Sequence, residues 1–333
     1  MTTNSNHQHA GIDAVAAYLP SRTVSLEQLR DDGLLRGSAD TLRSFGFDRV
    51  HVAGEESNVD MAVSAAQKLL SESDIDRNEI GLILYATALS SSSTMWNGGD
   101  AKPSRSSVLQ LDDVSDLFNY PASCLQSELD LPNASVIGVN QLGCASIFAA
   151  LRMARAMIIS ESDLDAVLCV SADKFPAGQP RDLVYNVVSD GASAALVRRA
   201  SERNRIIECT QVTKGALWDS GSLENEIVAA YFPTAKNLIE STLEKAGLTI
   251  DDIALVIPHN VSARSWEILG RLIGCPPDRI YTDNIRCVGH TIASDNLLNL
   301  RCATEQQLIA KGDYLLLFTF GYGLNWACMI LEH

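Results

Sequence analysis

The sequence lacks closely spaced cysteines, although it contains eight of them in 333 residues. No CxxC pair occurs, and most cysteines lie in apolar runs, such as Cys169 in AVLCVSA and Cys328 in NWACMIL. A free cysteine in such a run behaves as a small hydrophobic residue. This distribution argues against a disulfide framework and against a metal site, and it is typical of a protein in the reducing cytosol.

The sequence is also poor in basic residues and in long apolar segments. Asp and Glu number 41 against 26 Lys and Arg, which gives a net charge of −15. An acidic chain repels nucleic acid and anionic membrane surfaces. The first residues, MTTNSNHQHAG, contain no apolar segment of a signal peptide, and no apolar run reaches transmembrane length. We therefore expect a cytoplasmic protein that binds neither nucleic acid nor membrane.

What the sequence does contain is an alternation of short apolar runs with longer amphipathic stretches. Helical patterns occur at 58–70, where Asn58 is the predicted N-cap, and at 146–160, which is Ala-rich with few charges. Runs rich in branched residues predict strands at 11–18, 80–87, 134–139, 166–171 and 193–197. The segment 90–117 breaks the pattern and predicts a long surface loop, with a lid as one hypothesis.

The second half of the chain repeats this alternation. The predicted helices lie at 225–246, 265–273 and 293–311, and the predicted strands at 253–257, 314–320 and 326–331. Both halves end in a Gly-bearing turn followed by an apolar strand, SDGASAALV at 189–197 and FGYGLNWACMIL at 320–331. The chain is therefore predicted to be an α/β protein with covered sheets, built from two copies of one topology.

Cys144 is the candidate nucleophile. It lies in NQLGCASIFAAL, where an extended segment meets a buried helix, and Gly143 before it permits a sharp turn. The positive end of a helix dipole favours a nucleophilic thiolate. A nucleophile at the bend between strand and helix follows the logic of a nucleophile elbow. The alternative interpretation is a buried structural cysteine.

Two histidines are candidate partners of this thiol. His259 follows the apolar run IALVI through Pro258, at the end of a strand where α/β folds place ligands. His290 lies in RCVGHTIASDN, just before the last predicted helix. The two imidazoles could activate the Cys144 thiol, or all three side chains could together hold a metal ion. The wide spacing of the three residues along the sequence argues against the metal site.

These motifs, in this order, resemble those of the 3-oxoacyl-acyl-carrier-protein synthase III family of the thiolase superfamily over nearly the whole chain. AAYLPSRTVSLEQL resembles the opening strand of the family, and GCAS stands at its nucleophile. VIPHNVSARS resembles its His-Gln-Ala-Asn motif, and GHTIAS resembles its Gly-Asn-Thr-Ser-Ala motif. FGYGLNWACMIL resembles its C-terminal Gly-rich turn.

The resemblance implies a thiolase-like α/β fold with two duplicated βαβαβαββ halves in a layered α/β/α/β/α arrangement. Residues 1–199 would form the half that carries the nucleophile, and residues 200–333 the half that carries both histidines. The resemblance also implies a homodimer that accepts acyl groups from an acidic acyl carrier protein. Arg264 and Arg271 would dock this carrier.

By the same resemblance, Cys144 attacks a thioester and holds the acyl group, and His259 is the first catalytic histidine. The backbone N–H groups of Cys144 and Tyr322 would form the oxyanion hole. His290 stands where the family usually has Asn, which gives a Cys-His-His set typical of the elongating ketoacyl synthases. Asp295 and Asn260 are possible orienting residues for the histidines.

The expected reaction is an acyl transfer through Cys144, followed by decarboxylating condensation with a malonyl thioester to give a 3-oxoacyl product. Both imidazoles could stabilise the enolate formed when CO₂ leaves. The departures from the family pattern favour a specialised or secondary-metabolite pathway. No cofactor is expected beyond the thioester, on a carrier protein or coenzyme A.

Two alternatives stay open. In the first, a histidine acts as a base and the acyl group passes to a hydroxyl or amine without decarboxylation. In the second, the chain is the partner subunit of a heterodimeric synthase, although retention of Cys144, His259 and His290 speaks against an inactive subunit.

Overall fold

The computed structural model of the chain describes residues 9–89, 120–183, 185–219 and 221–333. The predicted loop at 90–117 lies outside these residues. The helices are α1 (Leu26–Asp31), α2 (Ala39–Ser44), α3 (Asn58–Glu72), α4 (Pro121–Glu128), α5 (Ser146–Ser160), α6 (Glu224–Ala246), α7 (Ala263–Ile273), α8 (Asp283–Cys287) and α9 (Asp295–Glu305). The strands of the main sheet are β1 (Ala10–Tyr18), β4 (Ile80–Ala86), β5 (Ser135–Val139), β6 (Ala166–Asp173), β9 (Gly191–Arg199), β10 (Arg205–Thr213), β11 (Ile253–Pro258), β12 (Tyr314–Gly321) and β13 (Asn325–Glu332). The short pairs are β2 (Thr23–Ser25) with β3 (Arg49–His51), and β7 (Asp182–Leu183) with β8 (Asn186–Val187).

The main sheet has the order β5–β4–β6–β9–β1–β10–β13–β12–β11. On one side of its centre, β4 is parallel to β5 and β6, whereas β9 is antiparallel to β6 and β1. On the other side, β11 is parallel to β12, whereas β13 is antiparallel to β12 and β10. The two series meet where β1 pairs with β10 at Gly11 and Arg205. This repeated order confirms the predicted duplication.

One strand of the repeat is reduced in the second series. The counterpart of β5 is a single parallel bridge between Val256 of β11 and Ile280. Ile280 follows Pro276 and Pro277, which have no N–H group to donate to a sheet ladder. The division into units of residues 1–199 and 200–333 stays a prediction.

The helices form three layers around these strands. The outer face of one series packs on α3 and α4, and the outer face of the other packs on α6 and α7. Between the two series lie α5 and α9, which contribute Ile147 and Leu297 to a core shared with Val167 of β6 and Met329 of β13. The result is the α/β/α/β/α arrangement that the family resemblance implied.

The expectation that no apolar run reaches transmembrane length was wrong for the central helix α5. The segment Gly143–Ser160 is long and apolar enough to cross a membrane by length and composition. In the fold, 56% of it is buried inside the protein, between the two series of strands. A helix that is apolar nearly all round is expected in such a central layer.

Two predicted helix ends were wrong. The N-cap of α3 is Ser57 rather than Asn58, because the Ser57 hydroxyl accepts from the Asp60 N–H and the Asp60 carboxylate accepts from the Ser57 N–H. The helix predicted at 293–311 is shorter, since α9 ends at Glu305 and Gln307 adopts a left-handed conformation with φ 58°. Apolar residues at 308–309 had prolonged the helical pattern.

Candidate active site

Cys144 lies on a sharp turn between β5 and α5. The turn contains Gln141 with φ 66° and Gly143 with φ 56°, and one 3₁₀ turn over Gly143–Ala145 leads into the helix. A Cβ atom on Gly143 would lie 2.7 Å from the backbone N of Tyr322, so only glycine fits there. The thiol is nearly buried, at the N-terminal end of the central helix.

The close approach at Gly143 brings together the two backbone segments predicted to form the oxyanion hole. The turn between β12 and β13 is pressed against the turn that carries the nucleophile, and a Cβ on Gly321 would lie 2.5 Å from the backbone N of Cys144. The backbone N–H groups of Cys144 and Tyr322 therefore belong to adjacent segments. Their action on an oxyanion stays a proposal.

His290 is in direct contact with the thiol. Its Nε2 atom lies 3.3 Å from the Cys144 Sγ atom. The backbone of His290 is held by Val187, whose carbonyl accepts its N–H at 2.9 Å, and by Ser189, whose N–H donates to its carbonyl at 2.8 Å. Because the fold is duplicated, Cys144 and His290 occupy equivalent places, each after a left-handed glycine and before a central helix, α5 or α9.

Asp295, the first residue of α9, accepts four hydrogen bonds in a fully buried position. Its Oδ2 atom lies 2.5 Å from His290 Nδ1 and accepts from the Asn260 N–H at 2.6 Å. Its Oδ1 atom accepts from the N–H and the hydroxyl of Thr291 at 2.6 and 2.7 Å. The predicted orienting residues Asp295 and Asn260 thus meet at His290, with Asn260 acting through its backbone.

The contact between His290 and Asp295 changes the pKa of both groups. Burial opposes the charge on each, but their mutual attraction and hydrogen bonds outweigh it. The pKa of His290 is raised well above its usual value by Asp295 and Cys144, and the pKa of Asp295 is lowered by His290. Both shifts favour the charged forms, an imidazolium on His290 and a carboxylate on Asp295.

A set of buried asparagines supports this pair, and most of it was not predicted from the sequence. Asn260 donates through Nδ2 to Gly289 O at 2.9 Å and accepts from Asn299 Nδ2 at 2.8 Å. Asn299 accepts in turn from Asn284 at 2.9 Å. The available signal was the spacing of Asp295 and Asn299 on the predicted helix at 293–311, because residues four apart share one helix face.

His259 lies near His290 but in different surroundings. The two ring centroids are 6.4 Å apart. The His259 ring is fully buried and packs edge-on against Trp266 and Phe318, and neither ring nitrogen has a hydrogen-bond partner among the described residues. Burial lowers the pKa of His259 to about 3, so this ring is neutral.

A mostly apolar pocket with a volume of about 170 Å³ reaches the thiol. Its lining is rich in aromatic side chains, namely Phe175, Tyr185, Tyr231, Phe232, Phe320 and Tyr322. Among the described residues, the lining includes Cys144 and His290 but not His259. Such a pocket suits an apolar acyl group or the arm that carries it.

The predicted docking residues lie on α7, which also contributes Ser265 to the pocket. Arg264 and Arg271 are exposed, seven residues apart on one helix face, and neither forms an ion pair within the described part of the chain. Ile268 lies between the two arginines in the sequence, and Leu272 follows Arg271. These apolar side chains are 38% and 43% exposed. This face therefore combines basic and apolar groups next to the pocket.

Comparison with known proteins gives a consistent result. A family model described as 3-oxoacyl-[acyl-carrier-protein (ACP)] synthase III matches residues 140–215, and its C-terminal model matches residues 243–333, which together make up half of the chain. Beta-ketoacyl-[acyl-carrier-protein] synthase III of Clostridium perfringens is 24% identical over 98% of this chain and 99% of its own length. The corresponding protein of Roseiflexus castenholzii is 43% identical over 90 residues, or 27% of this chain and 27% of its own.

The solved structures extend this likeness to the whole fold. The crystal structure of 3-oxoacyl-[acyl-carrier-protein] synthase III from Aquifex aeolicus superposes with a TM-score of 0.80. It is 22% identical, and the match covers 97% of this chain and 100% of that one.

Proposed function

The chain belongs to the 3-oxoacyl-[acyl-carrier-protein] synthase III family, and from this premise we propose that it carries an acyl group on Cys144. The observation that carries the proposal is the 3.3 Å contact between Cys144 Sγ and His290 Nε2 at the end of an apolar pocket. A thiol with an adjacent base is the usual arrangement of an acyl-accepting cysteine.

The first half-reaction loads the enzyme. Cys144 Sγ attacks the carbonyl carbon of an acyl thioester, whose oxygen turns towards the backbone N–H groups of Cys144 and Tyr322. The bond between this carbon and the donor sulfur breaks, and the departing thiol takes a proton from His290. The thioester itself supplies the activated acyl group, so this step needs no further cofactor.

In the second half-reaction, a malonyl thioester loses CO₂ and its enolate carbon attacks the acyl group on Cys144. The product is a 3-oxoacyl thioester, and Cys144 is released. His290, once it has regained a proton from water, and His259 are the candidate donors to the enolate oxygen, and their ring centroids are 6.4 Å apart. Since His290 replaces the usual Asn, we place this reaction in a specialised pathway rather than in general fatty acid synthesis.

One observation favours a second candidate, transfer of the acyl group to a hydroxyl or amine. Only one of the two imidazoles, His290, lines the pocket within the described residues. A heteroatom acceptor needs a single base to remove its proton, whereas the condensing scheme uses two donors. After loading, His290 is neutral and can take that proton.

The acyl donor is proposed to be an acidic acyl carrier protein, with coenzyme A as the alternative, that docks on the basic and apolar face of α7. Replacing Arg264 with Glu should raise KM for a carrier-borne thioester about fivefold, because an exposed charge contributes up to ~1 kcal/mol. The matched control is a small acyl thioester without carrier, whose KM should not change. We also propose that the chain forms a homodimer in the cytoplasm.

The loading step is tested by incubating the protein with acyl thioesters and measuring its intact mass. The wild type should gain one acyl group, and Cys144→Ala should gain none. Cys287→Ala is the matched control, since it removes an exposed thiol away from the pocket and should load normally. Acylation of Cys144→Ala at the wild-type level would refute the proposal.

The second half-reaction is tested on the loaded enzyme. Addition of malonyl carrier protein should release CO₂ together with a 3-oxoacyl product. Acyl transfer to an added alcohol or amine, with no CO₂ from the malonyl substrate, would instead establish the second candidate.

A further inference from the structure

The carboxylate of Asp295 is held in one orientation by the backbone around it. The N–H groups of Asn260 and Thr291 and the Thr291 hydroxyl donate to it at 2.6–2.7 Å, and these donors come from two different segments of the fold. Another rotamer of this buried carboxylate would break these hydrogen bonds, which is costly away from water. The His290 ring is therefore met by an acceptor that is fixed before any substrate arrives.

Each ring nitrogen of His290 has one partner. Asp295 Oδ2 lies 2.5 Å from Nδ1, and Cys144 Sγ lies 3.3 Å from Nε2 on the opposite side of the ring. A hydrogen bond donated by Nδ1 leaves Nε2 as the nitrogen that accepts the thiol proton, and the carboxylate stabilises the imidazolium that results.

We propose that Asp295 is the positioning residue of this site: by accepting a hydrogen bond from His290 Nδ1, it directs Nε2 to Cys144 and keeps the thiol proton on His290 in the resting enzyme. The inference rests on the proposed function, in which Cys144 is the nucleophile. It assigns the role of base to His290, rather than to the histidine that matches the family's catalytic position.

The proton balance of the cycle follows. In the resting enzyme the Sγ proton has moved to Nε2, which leaves a thiolate beside an imidazolium. Loading forms the carbon–sulfur bond to Cys144 and breaks the one to the donor, whose sulfur receives the Nε2 proton. A hydroxyl or amine acceptor returns a proton to Nε2 as it attacks, and the thiolate leaves, which restores the resting pair. A malonyl acceptor brings no proton, so in the condensing scheme Nε2 regains its proton from water after loading.

Other ionisable groups near His290 do not replace Asp295 in this role. His259 lies beside the ring but is neutral. The Arg181 guanidinium reaches the carbonyl of Val188 next to His290, but it is paired with Asp190 at 2.9 Å. Asp173 Oδ2 faces the N–H of Ala293, on the turn that begins α9. None of these contacts is with the imidazole nitrogens.

The test uses alkylation of Cys144 by iodoacetamide between pH 5 and 9, followed by mass analysis of the peptide that contains Cys144. In the wild type, Cys144 should react at pH values where an ordinary thiol, which ionises near ~8.5, is unreactive. Asp295→Asn should move the midpoint of the profile upwards by about 1–2 pH units, since it removes a neighbouring charge. Asp283→Asn, the same change at an exposed site nearby, is the control and should leave the profile unchanged.

The same substitution made in a variant that lacks the His290 imidazole separates a positioning role of Asp295 from a structural effect. If Asp295 acts through His290, Asp295→Asn should add no further shift to the profile of a His290→Asn variant. An equal shift in both backgrounds, or no shift in the wild-type background, would overturn the inference.

Two further controls keep the result interpretable. Should Asp295→Asn fail to fold, the wild-type profile decides, because a midpoint like that of an ordinary cysteine contradicts the inference. The measurement uses no acyl thioester, so its outcome is independent of whether the proposed acyl transfer is found.

Discussion

The two histidines of the candidate site differ in everything but location. Their ring centroids are 6.4 Å apart, and both follow glycine- or proline-marked bends in the second half of the chain. His290 has a partner on each nitrogen and a raised pKa, whereas His259 has no partner among the described residues and a pKa lowered to about 3. Burial without a partner lowers the pKa of His259, whereas at His290 the contacts with Asp295 and Cys144 outweigh burial. Residue type and proximity therefore do not determine which imidazole carries a proton.

The comparison predicts unequal effects of one substitution at the two sites, and acyl loading should show the largest difference. His290→Leu should lower the single-turnover rate of loading about 10²–10⁴-fold, the usual contribution of a general base. His259→Leu should lower it less than about tenfold, because this ring does not contact the thiol. Rapid quenching and intact mass give both rates. Equal losses in the two variants would break the distinction.

The two histidines should also differ in the second half-reaction. If the acceptor is a malonyl enolate, His259→Leu should lower CO₂ release by about 10²-fold while loading persists, because a donor to the oxyanion is lost. If the acceptor is a hydroxyl or amine, the same variant should transfer its acyl group at nearly the wild-type rate. The assay measures labelled CO₂ and acyl product from preloaded enzyme. Loss of neither activity would show that His259 has no part in catalysis.

The smallest expected effect is on acid stability, and its sign differs between the two residues. An unfolded histidine titrates near ~6.5, whereas folded His259 titrates at about 3, so between these values the unfolded chain binds a proton that the folded chain does not. His259 therefore contributes stability that is complete above pH 6.5 and falls as the pH falls, by about 2 kcal/mol at pH 5. In His259→Leu, this loss between pH 7 and 5 should be absent.

His290 should behave in the opposite way. Its pKa is raised in the folded chain, so its contribution is present below pH 6.5 and is lost as the pH rises through the folded value. His290→Leu should therefore lose relatively more stability at pH 5 than at pH 8. Urea unfolding of both variants and of the wild type at these pH values measures the slopes. Slopes of the same sign would contradict the assigned charge states.

Much of this site could be predicted from local sequence. Cys144 was expected at a bend because Gly143 and an apolar helix flank it, and the structure has a left-handed glycine and a 3₁₀ turn there. The duplication was visible in the matching turns that end each half. Strand β10 was missed because RIIECTQVT has no continuous apolar run and does not alternate strictly, with two apolar residues adjacent at 206–207 and two polar residues adjacent at 210–211.

The charge states could not be predicted, since they depend on contacts between distant segments. Cys144 and His290 are 146 residues apart, and Asn260 reaches Asp295 across 35 residues through its backbone N–H, which carries no sequence signal. Burial decides the state of His259, and burial depends on Trp266 and Phe318 from two different elements. Sequence patterns locate ionisable residues, but the folded surroundings set their protonation.

The most direct measurement is the ¹⁵N NMR spectrum of histidine-labelled protein at pH 7, with the signals of the two rings assigned from His290→Asn and His259→Leu. With His290 charged and His259 neutral, one ring should have both nitrogens protonated and be lost in the first variant, and one ring should be neutral and be lost in the second. A neutral His290 at this pH, or a charged His259, would contradict these charge states.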